Sequence, residues 1–463
     1  MSPLWTSAEA AAATGGKATR DFAITGISID TRTLAKGDLF VALQGDARDG
    51  HQFVAQALAK GAGAALVSQR PGDVAADAPL LVVGDTLEAL RGLGRAARAR
   101  TGARVGAITG SVGKTSTKEA LRHVLAAQGK THAADASYNN HWGVPLTLAR
   151  MPQDSAYAAI EIGMNHAGEI APLTALARPH AAIVTTVEAV HLEHFPNVES
   201  IADEKGAIFS GLEAGGAAVL NRDNPQYQRL RGHAERSRAG AIWSFGEHAE
   251  ADARLVDVKL LPDSSQVHAT LFGEALSYTY GAPGRHLVMN SLGVLLMAKA
   301  MGADARAAAD SFADMRALKG RGARQSVSVP GGAFTLIDES YNANPASMRA
   351  AFALLAQTPV EKGGRRIAIV GDMLELGPDA GRMHAGLAGD LRATGTDLVF
   401  ACGPLMAQLW DALPQAMRGA YAATSADLAT LCAAEAKAGD AIMIKGSFGS
   451  RMGLIVEALK AGR

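Results

Sequence analysis

The sequence predicts three α/β domains in series, and three observations carry that prediction. Its 463 residues exceed what one ordinary hydrophobic core organises. Short apolar runs alternate with helix-patterned stretches in three separate blocks. One of those runs, Val105 to Ile108, leads straight into Thr109-Gly110-Ser111-Val112-Gly113-Lys114-Thr115 and then a helix pattern, the strand, loop and helix of a phosphate-binding parallel sheet.

The first block, residues 1–84, carries the strand-like runs Leu39 to Leu43, Ala64 to Val67 and Leu80 to Val83, with one helical pattern from Phe53 to Lys60. Leu and Ala recur at helical spacing from Thr86 to Arg100, which links this block to the next. In the central block, residues 85–316, the runs Ala158 to Ile162, Ala181 to Thr186 and Ala217 to Asn221 are almost continuously apolar. Such runs suit parallel strands buried on both faces. Ala253 to Tyr280 alternates and reads as antiparallel strands at the end of that domain, before a helix from His286 to Ala300. A boundary falls near Lys319-Gly320-Arg321-Gly322. The third block, residues 317–463, places strands at Phe334 to Asp338, Ile367 to Val370, Leu398 to Ala401 and Ala441 to Ile444, with Ala-rich helices between them.

Composition narrows the function. Lys plus Arg and Asp plus Glu number 45 each, so no global field recruits nucleic acid or an anionic membrane. No run approaches the roughly 18 apolar residues of a membrane span. Met1 to Thr14 carries Glu9 and lacks a basic region ahead of an apolar core, so it does not read as a secretory signal. Cys402 and Cys432 cannot build a disulfide framework; they read as small buried hydrophobes in a reducing compartment. A cytoplasmic monomer is the expectation.

The glycine loop is the sharpest local signal. Gly110, Ser111 and Gly113 let backbone N–H groups converge on phosphate oxygens, and the helix opening at Ser116 adds its positive end. Lys114 would neutralise the outer phosphates, and the Thr115 hydroxyl would sit on magnesium. The spacing departs from the full Walker pattern, because the glycine expected five residues before Gly113 is Ile108.

Other polar residues sit at the carboxyl ends of predicted strands, where open parallel sheets collect ligands. Glu161 ends one apolar run, and a carboxylate there needs a cation, either magnesium or an arginine. His191 and His194, with Glu188 and Glu193, resemble part of a zinc site that lacks a spaced third ligand. His191 reads otherwise as a magnesium ligand or a surface-loop histidine. Lys205 lies in a helical segment and reads, by composition, as a solvated lysine. Asp338 and Glu339 at a strand tip would accept ribose hydroxyls, while Asn342 and Asn344 before Pro345 suit either a ligand or a turn. Lys445 ends another strand, where a substrate carboxylate would dock.

Taken together these segments resemble the Mur ligase superfamily, the ATP-dependent amide-forming enzymes of peptidoglycan precursor synthesis. The likeness runs along the whole chain. Ser28-Ile29-Asp30-Thr31-Arg32 and Gly45 to Val54 are similar to the family's UDP-sugar-binding first domain, and the loop matches its T-G-x-x-G-K-T/S form, which resolves the Walker departure. Tyr138-Asn139-Asn140-His141-Trp142-Gly143, Glu161 to Ile170, Asp338 to Pro345 and Gly371-Asp372-Met373-Leu374-Glu375-Leu376-Gly377 resemble motifs of the branch that adds D-alanyl-D-alanine to UDP-N-acetylmuramoyl-tripeptide.

The resemblance implies a central ATPase domain and a Rossmann-like C-terminal domain. ATP and two magnesium ions are the implied cofactors. Lys114, Thr115 and Glu161 would hold the phosphates and the first magnesium; His191 would contact the second. Lys205 aligns with the lysine that many members carbamylate, and the resulting anion would ligate magnesium. Asn290 falls near adenine, Arg321 reaches the nucleotide, and Glu339 stands where relatives carry a ribose-binding Asp. Ser28, Asp30 and Arg32, with Asn139, Asn140, Asn165, His166, Tyr341, Asn342, Asn344 and Lys445, would line the two substrates. The ligase one step earlier usually carries a D-N-P-R-type motif, which this sequence lacks.

Overall fold

Apolar runs too short for helices and flanked by glycine have one way to satisfy their backbone groups, which is to pair with each other. In the computed structural model, which describes residues 3–45 and 48–461, they do so in three main sheets. Asp46 and Ala47, inside the segment expected to help bind the UDP-sugar, lie outside the described residues.

The N-terminal sheet is five-stranded, in the order Lys17–Ala18, Leu80–Val82, Ala64–Val67, Asp38–Val41, Gly26–Ser28, and all but the first pairing are parallel. The helix Thr86–Arg100 belongs to two neighbourhoods. Leu90, Leu93 and Ala97 share a core with Ile24 and Leu39, and also with Leu146 and Ala149 of the central domain. Its Arg98 donates to the carbonyls of Ala177 and Arg178, so the N-terminal unit is bolted to the central one through buried polar as well as apolar contacts.

The central sheet has nine strands. Thr131–Ala133, Tyr157–Glu161, Arg104–Thr109, Ala181–Val184, Ala217–Asn221 and Ala241–Gly246 run parallel, and an antiparallel extension, Ala253–Leu260, Ser265–Leu271 and Glu274–Tyr280, completes it as the alternating pattern predicts. The chain leaves strand Arg104–Thr109 to one side and later continues on the other. Its carboxyl end is therefore a topological switch point, where open α/β sheets bind ligands. Two buried clusters sandwich this sheet: one is centred on Val288, Leu292 and Leu295 of helix Arg285–Ala300, the other on Ile160, Ile201 and Phe209.

The third sheet, Ala323–Val329, Gly332–Glu339, Ala441–Lys445, Arg366–Gly371, Leu398–Cys402 and Arg418–Ala422, is parallel apart from its first hairpin. Both cysteines are buried and unpaired, and burial pushes each thiol up to about 12. No helix among the described residues is long and apolar enough to cross a membrane.

Candidate functional site

The loop after strand Arg104–Thr109 is shaped by two glycines in the left-handed half of backbone space, Gly110 (φ +150°) and Gly113 (φ +85°). At Gly110 a Cβ would lie 1.9 Å from Thr185 Oγ1, so this position also needs the missing side chain. Thr185 donates to the Val112 carbonyl (2.6 Å) and Ser111 N–H to the Thr186 carbonyl (2.8 Å), which stitches the loop to the neighbouring strand's end. Helix Lys114–Ala126 follows immediately, with its free N–H groups at the loop. The Lys114 ammonium donates to the Gly110 carbonyl at 2.7 Å. Asn290 arrives from helix Arg285–Ala300: a Cβ on Gly113 would sit 2.6 Å from its Nδ2.

Glu161, at the carboxyl end of the adjacent strand, is 3% exposed. Its Oε1 accepts from Thr115 Oγ1 (3.1 Å) and Asn139 Nδ2 (2.8 Å), whereas Oε2 is buried without a partner. A buried acceptor left unsatisfied costs about 1–3 kcal/mol, more when charged, unless something cationic meets it. That orphan oxygen beside the Thr115 hydroxyl fits a divalent cation. Among the described residues no three His, Cys, Asp or Glu side chains converge as a metal cage. Magnesium does not require one, since it is usually held by one or two carboxylates together with substrate phosphates and water. Ser137, 3.2 Å from Thr115 Oγ1, also belongs to this corner. It escaped the sequence reading, since nothing in the sequence signals that a serine two residues before Asn139 turns inward.

Lys205 overturns its compositional reading. It is 1% exposed, near the end of helix Val198–Gly206, and the same helix buries Glu204, which accepts the Gly168 and Ile170 N–H groups at 2.8 Å each. Burial, and then the nearby Lys114 charge, hold the Lys205 amine well below the ordinary lysine range; Glu204 only partly offsets them. Lys114 is itself depressed by its depth in the cleft, against Glu161, with Arg321 pushing the same way as burial. The structure thus gathers Lys114, Glu161, Lys205, Asn290 and Arg321 around one loop.

The C-terminal domain faces this loop with a second charged set. Lys445 is buried and donates to Glu339 Oε2 (3.2 Å) and to the Asn342 carbonyl (2.8 Å), so any substrate carboxylate at Lys445 competes with that pair. The two residues sit opposite each other in adjacent parallel strands. His286, in the same cleft, is depressed by its surroundings and by Lys445, and raised by Glu339. Asp338 differs from the ribose-accepting role expected of it. It is buried and takes the Gly320 and Ser340 N–H groups and the Ser340 hydroxyl. Asn344 resolves as turn chemistry, capping helix Pro345–Gln357 in a capping box with Ser347. Asn342 Oδ1 accepts from Ala343 N–H. Tyr341 is partly exposed, with the Arg321 guanidinium 4.2 Å from its ring centroid, and lines an open cleft with Lys319, Phe448 and Arg451.

His191 lies in the loop beyond strand Ala181–Val184, and its Nδ1 is 2.5 Å from Glu375 Oε2 of the C-terminal domain. Glu375 was quoted in a motif but given no role by the sequence. His166 stacks on His194 (4.3 Å between centroids) and approaches Glu169, which also takes the Asn165 N–H. Asn140 accepts from Gly143 N–H at 2.9 Å and turns the chain into helix Gly143–Ala149. In the N-terminal domain, buried Ser28 donates to the Asp30 carbonyl, and Asp30 accepts from the Arg32 backbone and guanidinium. The Arg32 contacts hold the Asp30 carboxyl below its usual range.

A phosphate loop at a switch point, a carboxylate with a free oxygen, and a third domain closing over both define a nucleotide-dependent ligase architecture of the Mur type. Models of the Mur ligase family match this chain three times: its catalytic domain over residues 23–98, its middle domain over 108–298 and its glutamate ligase domain over 324–448. The chain belongs to the Mur ligase family. It is 32% identical to the UDP-N-acetylmuramoyl-tripeptide–D-alanyl-D-alanine ligase of Rickettsia prowazekii over 98% of this chain and 99% of that one. It is 37% identical to the Escherichia coli enzyme of that name, over 83% of this chain and 82% of that one. Among solved structures, MurF from Acinetobacter baumannii superposes with a TM-score of 0.84 at 30% identity, covering 99% of both chains.

Proposed function

We propose that the chain is an ATP-dependent amide ligase that joins D-alanyl-D-alanine to UDP-N-acetylmuramoyl-tripeptide, releasing ADP and phosphate in peptidoglycan synthesis in the cytoplasm. The observation that carries the reading is the convergence of Lys114, Glu161, Lys205 and Arg321 on one loop, with the third domain's Glu339 and Lys445 across the cleft. The similarity to ligases of that name over nearly the whole chain supports the choice of substrates.

The chemistry demands such a site. An amine cannot displace oxide from a carboxylate, so the carboxylate must first be activated. Its oxygen attacks the γ-phosphorus of ATP, the bond to ADP breaks, and an acyl phosphate forms. The dipeptide amine then adds to the carbonyl carbon, and the tetrahedral intermediate collapses with loss of phosphate and a proton. Both steps concentrate negative charge where Lys114 and the loop N–H groups lie, and preorganised donors stabilise it without reorganisation. Thr115 and Glu161 would hold magnesium, which when bound screens the phosphate oxygens. Burial disfavours the charged form of Lys205, and the neutral amine is the form that adds carbon dioxide. A carbamate would form on the neutral amine with loss of a proton, placing an anion near Lys114. Asn290 and Arg321 would orient the nucleotide, and Ser28, Asp30 and Arg32 the UDP-sugar.

Coupled phosphate release, with product mass, tests the reading. Release should require ATP, UDP-N-acetylmuramoyl-tripeptide and D-alanyl-D-alanine together, with a product heavier than the tripeptide by one dipeptide less water. Hydrolysis indifferent to both peptides would instead describe a nucleotide-driven switch.

A further inference from the structure

The side-chain contact between His191 and Glu375, which joins loops of the central and C-terminal domains at this site, is unusual in its backbone. His191 (φ +55°) and Glu375 (φ +62°) are both non-glycine residues in the left-handed region, and each is paired to the other. Such conformations persist only where the surroundings over-determine them, and they cluster at functional sites. A single exposed contact of this kind would not supply that determination, since even charged surface pairs contribute little alone.

What supplies it is visible around the loop Gly371 to Gly377. Met373 N–H donates to His384 Nε2 (2.9 Å), and His384 Nδ1 is anchored on the Ala380 carbonyl (2.6 Å). Leu374 N–H donates to Ser447 Oγ (2.9 Å), and the Asp372 carbonyl accepts from Ser447 N–H and Ser450 Oγ. The loop is thus pinned on both sides and offers Glu375 from a rigid base. Gly377 (φ +67°) lets it pack against the next residue of the partner loop: a Cβ there would stand 3.1 Å from the Leu192 carbonyl oxygen.

We propose that Glu375 is a positioning residue of the ligation site: by accepting the His191 Nδ1–H from across the domain junction, it fixes that imidazole's tautomer and aim, so His191 is correctly set only while the C-terminal domain is docked. A carboxylate on one ring nitrogen leaves the other, Nε2, with its lone pair free, the arrangement found behind metal-binding histidines. The inference rests on the proposed role of His191 at the phosphate site. It couples arrival of the domain expected to bring the dipeptide to completion of the site that activates the carboxylate.

The test uses the full chain carrying Glu375→Ala, Glu375→Gln or Gly377→Ala. Imidazole 15N spectra, with His191→Gln to assign the signal, report the tautomer. Pulsed EPR between nitroxides at Arg238→Cys and Arg392→Cys, both exposed, reports domain separation, while the native cysteines are buried. The native chain should show one His191 tautomer protonated at Nδ1 and one narrow distance. Glu375→Ala should mix the tautomers, broaden the distance and lower kcat about 10–100-fold with little change in KM for the UDP-linked substrate. Glu375→Gln, whose amide oxygen still accepts, should restore most of all three, and Gly377→Ala should follow Glu375→Ala. An unchanged His191 signal and distance in Glu375→Ala overturns the proposal. So does a broadened distance with native kcat, which would make the pair a structural latch only. If the native chain does not ligate at all, the proposed function fails, while the spectra and distances still decide whether Glu375 sets His191.

Discussion

Replacing Glu161 by Gln tests whether the orphan carboxylate oxygen exists to meet a cation. The amide can keep its carbonyl oxygen on Thr115 and Asn139, so the present hydrogen bonds survive. What changes is the buried Oε2, which becomes a neutral donor with no charge to offer. Without ligand the variant should therefore be at least as stable as the native chain, since an unpaired neutral group costs less than a charged one. With magnesium and ADP the order should reverse. At 100 times its dissociation constant a ligand stabilises by about 2.7 kcal/mol. Losing a charged contact of about 1.5–3 kcal/mol weakens binding more than tenfold. At the same concentration the variant would keep about a tenth to a half of that stabilisation. For a domain of this size 1 kcal/mol is about 2–4 °C, so the ligand-induced rise in the central transition should shrink by several degrees in calorimetry. An equal rise in both proteins would refute the reasoning, because Glu161 would then be a structural acceptor only.

Gly110→Ala should weaken ADP binding at least about tenfold and destabilise the chain by about 1–3 kcal/mol, because its Cβ would displace the Thr185 hydroxyl that braces the loop; calorimetric titration and denaturant unfolding measure the two. Lys205→Met should abolish ligation yet raise stability at neutral pH in carbon dioxide-free buffer. The folded amine is depressed below its ordinary 10.5, so between those values the unfolded state binds the extra proton and native stability falls as pH drops. Unfolding midpoints of variant and native chain should accordingly converge as pH rises toward 10.5, and a constant gap would count against the buried amine. His384 accepts the Met373 N–H and is held below its ordinary 6.5 chiefly by burial. Its contribution is present above pH 6.5 and lost as pH falls toward the lowered value, so the acid-side slope of stability should flatten in His384→Asn.

The parts of the site that share one strand and loop were legible because their geometry is local. Thr109 to Thr115 dictates a turn, and buried runs such as Ala181 to Val184 dictate parallel strands. Lys205 was not legible from pattern. Ile201, Ile208 and Phe209 mark one core face of its segment, but the opposite face is covered too, and a helical period cannot report a cleft assembled from distant loops. The Glu339–Lys445 and His191–Glu375 pairs fail for the same reason: each joins residues that only sheet order and domain docking make neighbours. At Asp338 and Asn344 the structure shows the side chains engaged within the chain itself. A polar residue at a strand tip serves the chain's own N–H groups as readily as a ligand's, and the sequence does not show which donors are already within reach.

The balance of charge at the cleft suits it to anionic reactants. The chain is neutral overall, with 45 residues of each sign. Lys114, Lys205 and Lys445 are nevertheless each depressed chiefly by burial and further by a neighbouring cation: Lys114 by Arg321, Lys205 by Lys114, Lys445 by Arg321. The anions facing them are already spoken for in part. Glu339 is paired with Lys445, and Glu375 with His191. An anion that enters such a cluster relieves that repulsion. A triphosphate and a substrate carboxylate are such anions, and a carbamate on Lys205 would be another. On that argument the nucleotide and the carboxylate that accepts its phosphoryl group do more than occupy the cleft. They would add charge that steadies the central and C-terminal domains against each other, and a closed site keeps water from the acyl phosphate between the two steps.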